Sequence, residues 1–501
     1  MWILVICLLG IAAVAVYDLT QRKHAILRNF PIIGHFRYWL EAIGPELRQY
    51  IVTNNDEERP FSRDQRRWIY ASSKRENNCF GFGTDNDTER SPNYIIIKHA
   101  AFPIVEESHD PTYRLPCAKI LGGHRNRAKA FRPESIVNVS AMSFGSLSAA
   151  AVEALNRGCR LAGCLHNTGE GSVSPHHQHG GELIWQIGTG YFGCRDEKGA
   201  FELTQFKDVV AENPIRAIEI KLSQGAKPGK GGLLPAAKIT PEIAAIRGIP
   251  MGQDCVSPNR HSVFSDVDSM LDFVERLADV SGLPVGIKSA IGEMGFWHDL
   301  TRLMDTTDRG VDFVTIDGGE GGTGAAPLVF SDHVALPFKL AMSRVYRTFA
   351  EAGVSDNTVF IGSGRLGFPD SAFFAFALGC DLINVAREPM MAIGCIQAQR
   401  CHTGHCPTGV ATQSRWLMRG LDPTSKSARL ANYMTNLRKE IRELCYACGL
   451  HHPALIKSEH IEILDDRFGG KSIEELFGYT KDWGVPCTTD CEEIVRIMKR
   501  D

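Results

Sequence analysis

From residue 134 onward, short runs of apolar residues alternate with longer stretches in which apolar positions recur every three or four residues. A short unbroken apolar run suits a strand covered on both faces, and the longer spacing suits the helix that covers it. The pattern therefore predicts a parallel sheet wrapped by helices. Eight runs qualify as strands: Ile136 to Ser140, Gly163 to Asn167, Ala217 to Leu222, Pro250 to Asp254, Pro284 to Lys288, Phe313 to Asp317, Val359 to Gly362 and Leu382 to Ala386. Eight is the number that closes a (β/α)8 barrel, so an α/β TIM barrel over 134–413 is expected, with a long loop between its third and fourth strands.

The flanks read differently. Trp2 to Tyr17 is apolar and uncharged, and Asp18, Arg22, Lys23, His24 and Arg28 follow it. This run is slightly short of the roughly 20 residues a span needs, a deficit that tilt or bilayer thinning absorbs. It lacks the positive start and small-residue cleavage site of a signal peptide, so 1–20 is expected to be an uncleaved membrane anchor. The basic cluster behind it predicts a cytoplasmic catalytic domain. Residues 29–46 mix aromatic and apolar positions as an interfacial segment would. Asn54 to Arg67 is charge-rich with one proline and reads as a linker or a solvated face before the main domain. The whole of 21–133 is expected to pack as an extension on the barrel. After Gln413, helices at Ala428 to Cys448, Ile473 to Phe477 and Asp490 to Lys499 form a C-terminal extension, 414–501.

Composition narrows the function. A net charge of -3 over 501 residues leaves no basic excess for nucleic acid phosphates. The 15 cysteines are an odd count, mostly scattered singly rather than laid out as a disulfide framework, which places the folded part in a reducing compartment. Cys395, Cys401 and Cys406 are the exception. Their C-x5-C-x4-C spacing, in a loop closed by Pro407, brings three thiols towards one small centre. Structural zinc takes four ligands and would need His402 or His405, so an iron–sulfur cluster is the better reading, against three reduced thiols that merely lie close. Cys445, Cys448, Cys487 and Cys491 read as structural cysteines rather than a second metal set.

In such a barrel the chemistry sits on loops after the strands' C-terminal ends. Lys288 ends an apolar run there, and its burial demands an anion: a carboxylate, a phosphate or a reduced flavin. Ser363, Gly364 and Arg387 follow the seventh and eighth strands, where backbone amides and a forked cation cradle phosphate, with Arg365 a helix-start charge.

The cysteine loop reads GCIQAQRCHTGHCPTGVATQ (394–413), and AMSFGSLS (141–148), NTGEG (167–171), QGAKPGKGG (224–232) and GGTGAAP (321–327) precede it in that order. From about 136 to about 413 the chain resembles the FMN-binding domain of the glutamate synthase large subunit. The resemblance implies an FMN barrel with a 3Fe-4S cluster on Cys395, Cys401 and Cys406. It implies flavin contacts from Met142, Ser143, Asn167, Lys288, Gly318, Gly319, Gly362, Ser363, Gly364, Ala386 and Arg387. Lys288, Lys227 and Gln224 would serve the substrate, with Glu170 as proton carrier. The implied reaction passes a hydride from reduced FMN to the imine of 2-oxoglutarate and ammonia. Electrons would come from a ferredoxin or an NADPH-oxidising partner.

Departures fall on the substrate side. Lys230 stands where the family has glutamate, Gly188 to Phe192 replaces SGRFG and so lacks its arginine, Gly318 to Gly324 replaces GHDGGTG, and Arg387-Glu388 replaces a GT. The chain has no N-terminal cysteine and no room for a glutaminase or a β-helical domain, so ammonia is not expected from glutamine on this polypeptide. No G-x-G-x-x-G nicotinamide fingerprint follows a strand. Alternatives are an FMN/iron–sulfur oxidoreductase on another amino or 2-oxo acid, or a membrane-tethered electron-transfer module.

Overall fold

A computed structural model describes residues 2–21, 23–52, 58–105, 110–467 and 469–499. The chain divides into two compact units, 1–67 and 68–501. In the larger, eight parallel strands close into a barrel: β1 (Val137–Val139), β2 (His166–Asn167), β3 (Leu183–Ile187), β4 (Ile215–Lys221), β5 (Val285–Ser289), β6 (Phe313–Asp317), β7 (Val359–Ser363) and β8 (Leu382–Val385). The ring closes where Ile383 of β8 pairs with Val137 of β1. Every strand residue except Arg216 and Lys221 is buried, which is why the strands read as continuous apolar runs rather than alternations.

Seven strands lie where the apolar runs put them. The run at Pro250 to Asp254 is instead a turn, and the chain then enters Cys255–Val256, which pairs antiparallel with Leu233–Leu234 outside the barrel. The missing strand is β3, whose run is broken by Gln186. That amide is buried at no loss because it donates to Glu219 Oε1 at 2.6 Å. The long connection consequently lies between β4 and β5, over 222–284.

The first barrel helix, Ala149–Ala162, starts where Ser148 Oγ accepts from Ala151 N at 3.1 Å and stops at Gly163 in the left-handed region. Helix Pro423–Ala447 crosses it at Gly158, where an added Cβ would stand 2.6 Å from Leu430 Cδ2. That helix begins five residues before Ala428, because Asp422 caps its N-terminus with Pro423 in the first turn. Ile95–Ile97 pairs antiparallel with Ile461–Leu464, tying the segment before the barrel to the one after it.

In the smaller unit, helix Trp2–Thr20 is exposed along its length except at Ala15 and Asp18. The Asp18 carboxylate is buried, accepting from Ile32 N at 2.9 Å and facing His35 Nε2 at 2.9 Å. Helix Gly34–Leu47 follows and leaves Phe36, Trp39, Leu40 and Leu47 exposed at helical spacing. The linker expected at Asn54 to Arg67 is corrected in its second half. Residues 53–57 lie outside the described residues, and helix Arg63–Lys74 occupies the end of that stretch, with Asp64 in its first turn.

Candidate active site

Parallel neighbours point the same way, so register decides which side chains share the barrel mouth. Lys221 of β4 pairs with Lys288 of β5, and Lys288 with Thr315 of β6. One layer deeper sits Glu219, fully buried. Its carboxylate accepts from Asn167 Nδ2 (2.8 Å), Gln186 Nε2 (2.6 Å) and Thr315 Oγ1 (2.7 Å). Three donors satisfy the buried charge and knit four strands into a polar floor. Neither Glu219 nor Gln186 stood out in the sequence, though a glutamate inside the apolar run RAIEIK, in step with Ala217 and Lys221, marks an inward-facing charge.

Above the floor opens a polar cleft. Gln224, Lys288, Ser363, Gly364, Ala386 and Arg387 line it, joined by Gln186, Lys221, Asp317 and Asn384, which the sequence did not single out. Lys288 Nζ lies 3.6 Å from Asp317 Oδ1, the anion its burial calls for. Ser363, Gly364 and Arg365 after β7 and Ala386 and Arg387 after β8 line the cleft together, and Arg387 Nη2 donates to the Glu320 carbonyl. Asn384 Oδ1 is buried there with no hydrogen-bond partner.

The other sequence-derived residues stand back from the cleft. Asn167 engages Glu219, and its Oδ1 accepts from Gly169 N at 3.0 Å. Met142 and Ser143 back onto Gly169, where a Cβ would come within 2.6 Å of Ser143 N. Gly318 and Gly319 donate to the Ser363 and Leu336 carbonyls. Gly362 turns its bare side to Leu366, Cys380 and Phe338 in the core.

Beside the cleft, Glu170 Oε2 sits 3.2 Å from Lys221 Nζ, which donates to Gln224 Oε1 at 3.3 Å. Burial raises the Glu170 carboxyl, but Lys221 and Lys227 outweigh it and hold it below the usual carboxylate range. Lys227 is pushed below the usual lysine value by burial and by Lys221, with Glu170 opposing. Arg247, at the end of helix Pro241–Arg247, enters the same cluster. It is buried, donates to the Phe144 carbonyl at 2.9 Å and lies 5.1 Å from the Phe192 ring. The long connection thus brings against Phe192 an arginine that the sequence did not single out. Lys230 does not reverse a charge in the cleft: it is exposed, with Nζ 5.0 Å over the Phe330 ring.

The cysteine loop leaves helix Arg387–Ala392 directly after β8. Tyr70 Oη donates to the Cys395 carbonyl at 3.0 Å, and Gln397 N to Cys395 Sγ at 3.4 Å. Burial pushes the Cys395 thiol up to about 12, with Cys401 and Cys406 adding to the rise. Cys406 is the reverse: burial raises it, but backbone amides of Ala411, Thr408 and Val410 prevail and lower it. Gln413 Nε2 donates to the Gly145 and Leu147 carbonyls (3.1 and 2.9 Å), and Ser148 N to the Val410 carbonyl (2.9 Å). The cysteine loop is therefore stitched to the loop after β1. Among the described residues no three His, Cys, Asp or Glu side chains gather as a single metal ion requires, here or around Cys445 and Cys448.

Residues 117–451 match the family model described as a conserved region in glutamate synthase. The chain is 39% identical over 484 residues to the glutamate synthase large subunit-like protein YerD of Bacillus subtilis, covering 90% of this chain and 92% of that one. It is 33% identical to the archaeal glutamate synthase [NADPH] of Methanocaldococcus jannaschii, covering 75% of this chain and 70% of that one. Against the glutamate synthase [NADPH] large chain of Bacillus subtilis identity is 32%, over 63% of this chain but 20% of that one.

Proposed function

We propose, for a chain that belongs to the glutamate synthase family, that the cleft holds FMN and performs the reductive amination of 2-oxoglutarate to glutamate, with ammonia not released from glutamine by this chain. The observation that carries this reading is that the register-matched lysines Lys221 and Lys288 and the Ser363, Gly364 and Arg387 cradle line one cleft. These cations and backbone amides suit a flavin phosphate and a carboxylate substrate. The unpartnered Asn384 Oδ1 on the cleft wall is an acceptor such a ligand would satisfy.

When bound, FMN supplies the hydride, and the chain's groups bind, orient and move protons. Lys288 and Gln224 meet the substrate, Lys227 adds positive charge beside them, and Glu170, held ionised by Lys221 and Lys227, accepts the proton. Cys395, Cys401 and Cys406 hold a 3Fe-4S cluster in this reading. The amides of Ala411, Thr408 and Val410 onto Cys406 favour the thiolate a cluster needs. Electrons come from a ferredoxin-like or NADPH-oxidising partner. Helix Trp2–Thr20 anchors the chain in the membrane with the barrel in the cytoplasm, and the exposed Phe36, Trp39 and Leu40 lie at the lipid interface.

A different amino or 2-oxo acid is the second reading, favoured by Glu320. It stands at the family's rim aspartate position but directs its carboxylate to Phe338 N at 2.9 Å. Anaerobic purification with flavin and iron analysis, then reoxidation of the photoreduced flavin by a panel of 2-oxo acids with and without ammonia, tests both. Response to 2-oxoglutarate only with ammonia supports the first reading. Response to another acid supports the second. Response to none leaves an electron-transfer module.

A further inference from the structure

Lys238 is a buried amine that the proposed reaction does not use. It ends the short turn Ala236–Lys238 in the connection between β4 and β5, far in sequence from the cysteines. Its Nζ donates to the Cys401 carbonyl at 2.6 Å and to the Ala411 carbonyl at 3.4 Å. Among the described residues no carboxylate pairs with it, and the charged or ionisable groups it feels are the thiols of Cys401 and Cys406. A buried ammonium solvated only by two carbonyls is costly unless negative charge stands near. A buried side chain without partners lies in the cysteine loop itself. The Gln397 side chain is 9% exposed, its amide nitrogen and oxygen both lack partners, and its backbone is left-handed at φ 56°. A buried cation against the thiol loop, with no carboxylate among the described residues to answer it, points to an anionic group among the thiols.

We propose that Lys238 is a positioning and charge-supplying residue for the iron–sulfur centre of this loop: it staples residue 401 to residue 411 and raises the centre's reduction potential. The assignment rests on the iron–sulfur reading above. Reduction adds negative charge, so a nearby fixed cation in a poorly solvated setting stabilises the reduced form. The positive charge also biases the centre to accept an electron from the donor.

The test is an electron-spin-resonance-monitored redox titration of the anaerobically reconstituted full chain, with iron, sulfide and flavin measured on each sample. In Lys238→Met the reduction equilibrium is expected to move about tenfold towards the oxidised form, about 59 mV for one electron. Lys238→Gln keeps a donor for the Cys401 carbonyl but drops the charge, and is expected to shift likewise. Lys238→Arg keeps the charge and is expected to titrate as the wild type. Loss of iron in Lys238→Met that Lys238→Arg restores, with flavin retained in both, supports the staple. A full cluster with unchanged potential in Lys238→Met and Lys238→Gln overturns the assignment. Wild-type protein without iron overturns the iron–sulfur reading itself, and the assignment with it.

Discussion

Lys288 Nζ and Asp317 Oδ1 stand 3.6 Å apart at the ends of adjacent strands, both side chains 7% exposed. The other Asp317 oxygen accepts from Gly225 N at 2.8 Å, so this carboxylate pairs the lysine and pins the start of the loop carrying Lys227. Lys288→Ala is expected to slow reoxidation of reduced flavin by 2-oxoglutarate plus ammonia by about 10²–10³, the scale of losing one charge-stabilising donor. Asp317→Asn keeps an acceptor for Gly225 and is expected to cost about tenfold, within the 10–10² range for a misplaced partner. Stopped-flow absorbance measures both, and an unaltered rate in Lys288→Ala removes that residue from the substrate site.

The pH profile of kcat/KM follows from Glu170 and Lys227. Glu170 works as the ionised form and is held below the usual carboxylate range, so activity persists as pH falls until that lowered value is crossed. Lys227 works protonated and is pushed below the usual lysine value, so activity is lost early as pH rises. Glu170→Gln is expected to abolish the acid limb and cost about 10²-fold or more. Lys227→Arg is expected to carry the alkaline limb upward. An unchanged acid limb in Glu170→Gln assigns the proton to another group.

Gln186 tests the polar floor. Gln186→Leu leaves Glu219 with two side-chain donors in place of three, and the lost bond to a buried charge is worth ~1–3 kcal/mol of stability. Thermal unfolding should register that loss together with reduced flavin content. If both match the wild type, the floor does not support the cleft.

Acid sensitivity has a separate source in the buried histidines. Burial lowers His166 to about 3, so the folded state keeps it neutral while an unfolded chain protonates it near 6.5. A histidine with a lowered folded value contributes stability that is fully present above about pH 6.5 and is lost as pH falls towards 3. The loss is ~1.4 kcal/mol per pH unit inside that window. Chemical denaturation at pH 7 and pH 5 should show it, and His166→Asn should flatten the slope by one proton's worth. An unchanged slope places the acid sensitivity elsewhere.

Removal of residues 2–20 is expected to move the chain from the membrane fraction to the soluble fraction with flavin content intact. Retention in the membrane fraction would shift anchoring to the exposed face of helix Gly34–Leu47.

The barrel was legible because its strands are buried on both faces, leaving uninterrupted apolar runs that composition alone exposes. β3 escaped because its run contains Gln186, and whether a buried amide is tolerated depends on Glu219, 33 residues on. Pro250 to Asp254 looked like a strand by position and length, but it is a turn into an antiparallel pair outside the barrel. In the cleft, the places of Lys288, Ser363, Gly364 and Arg387 followed from strand ends. Arg247 and Lys238 did not, since both come from the long connection and reach their neighbours only through tertiary packing. Asn167 was read as a ligand group from its motif, and in the fold its amide lies against a carboxylate no local pattern reveals.

Gln413 has a consequence of its own. One carboxamide donates to two carbonyls of the loop after β1, and Ser148 answers from that loop to Val410. The segment that carries the thiols and the segment beneath the barrel mouth are thereby bolted together as one rigid piece. Under the iron–sulfur reading proposed above, these three hydrogen bonds help set the tunnelling gap between the two cofactors.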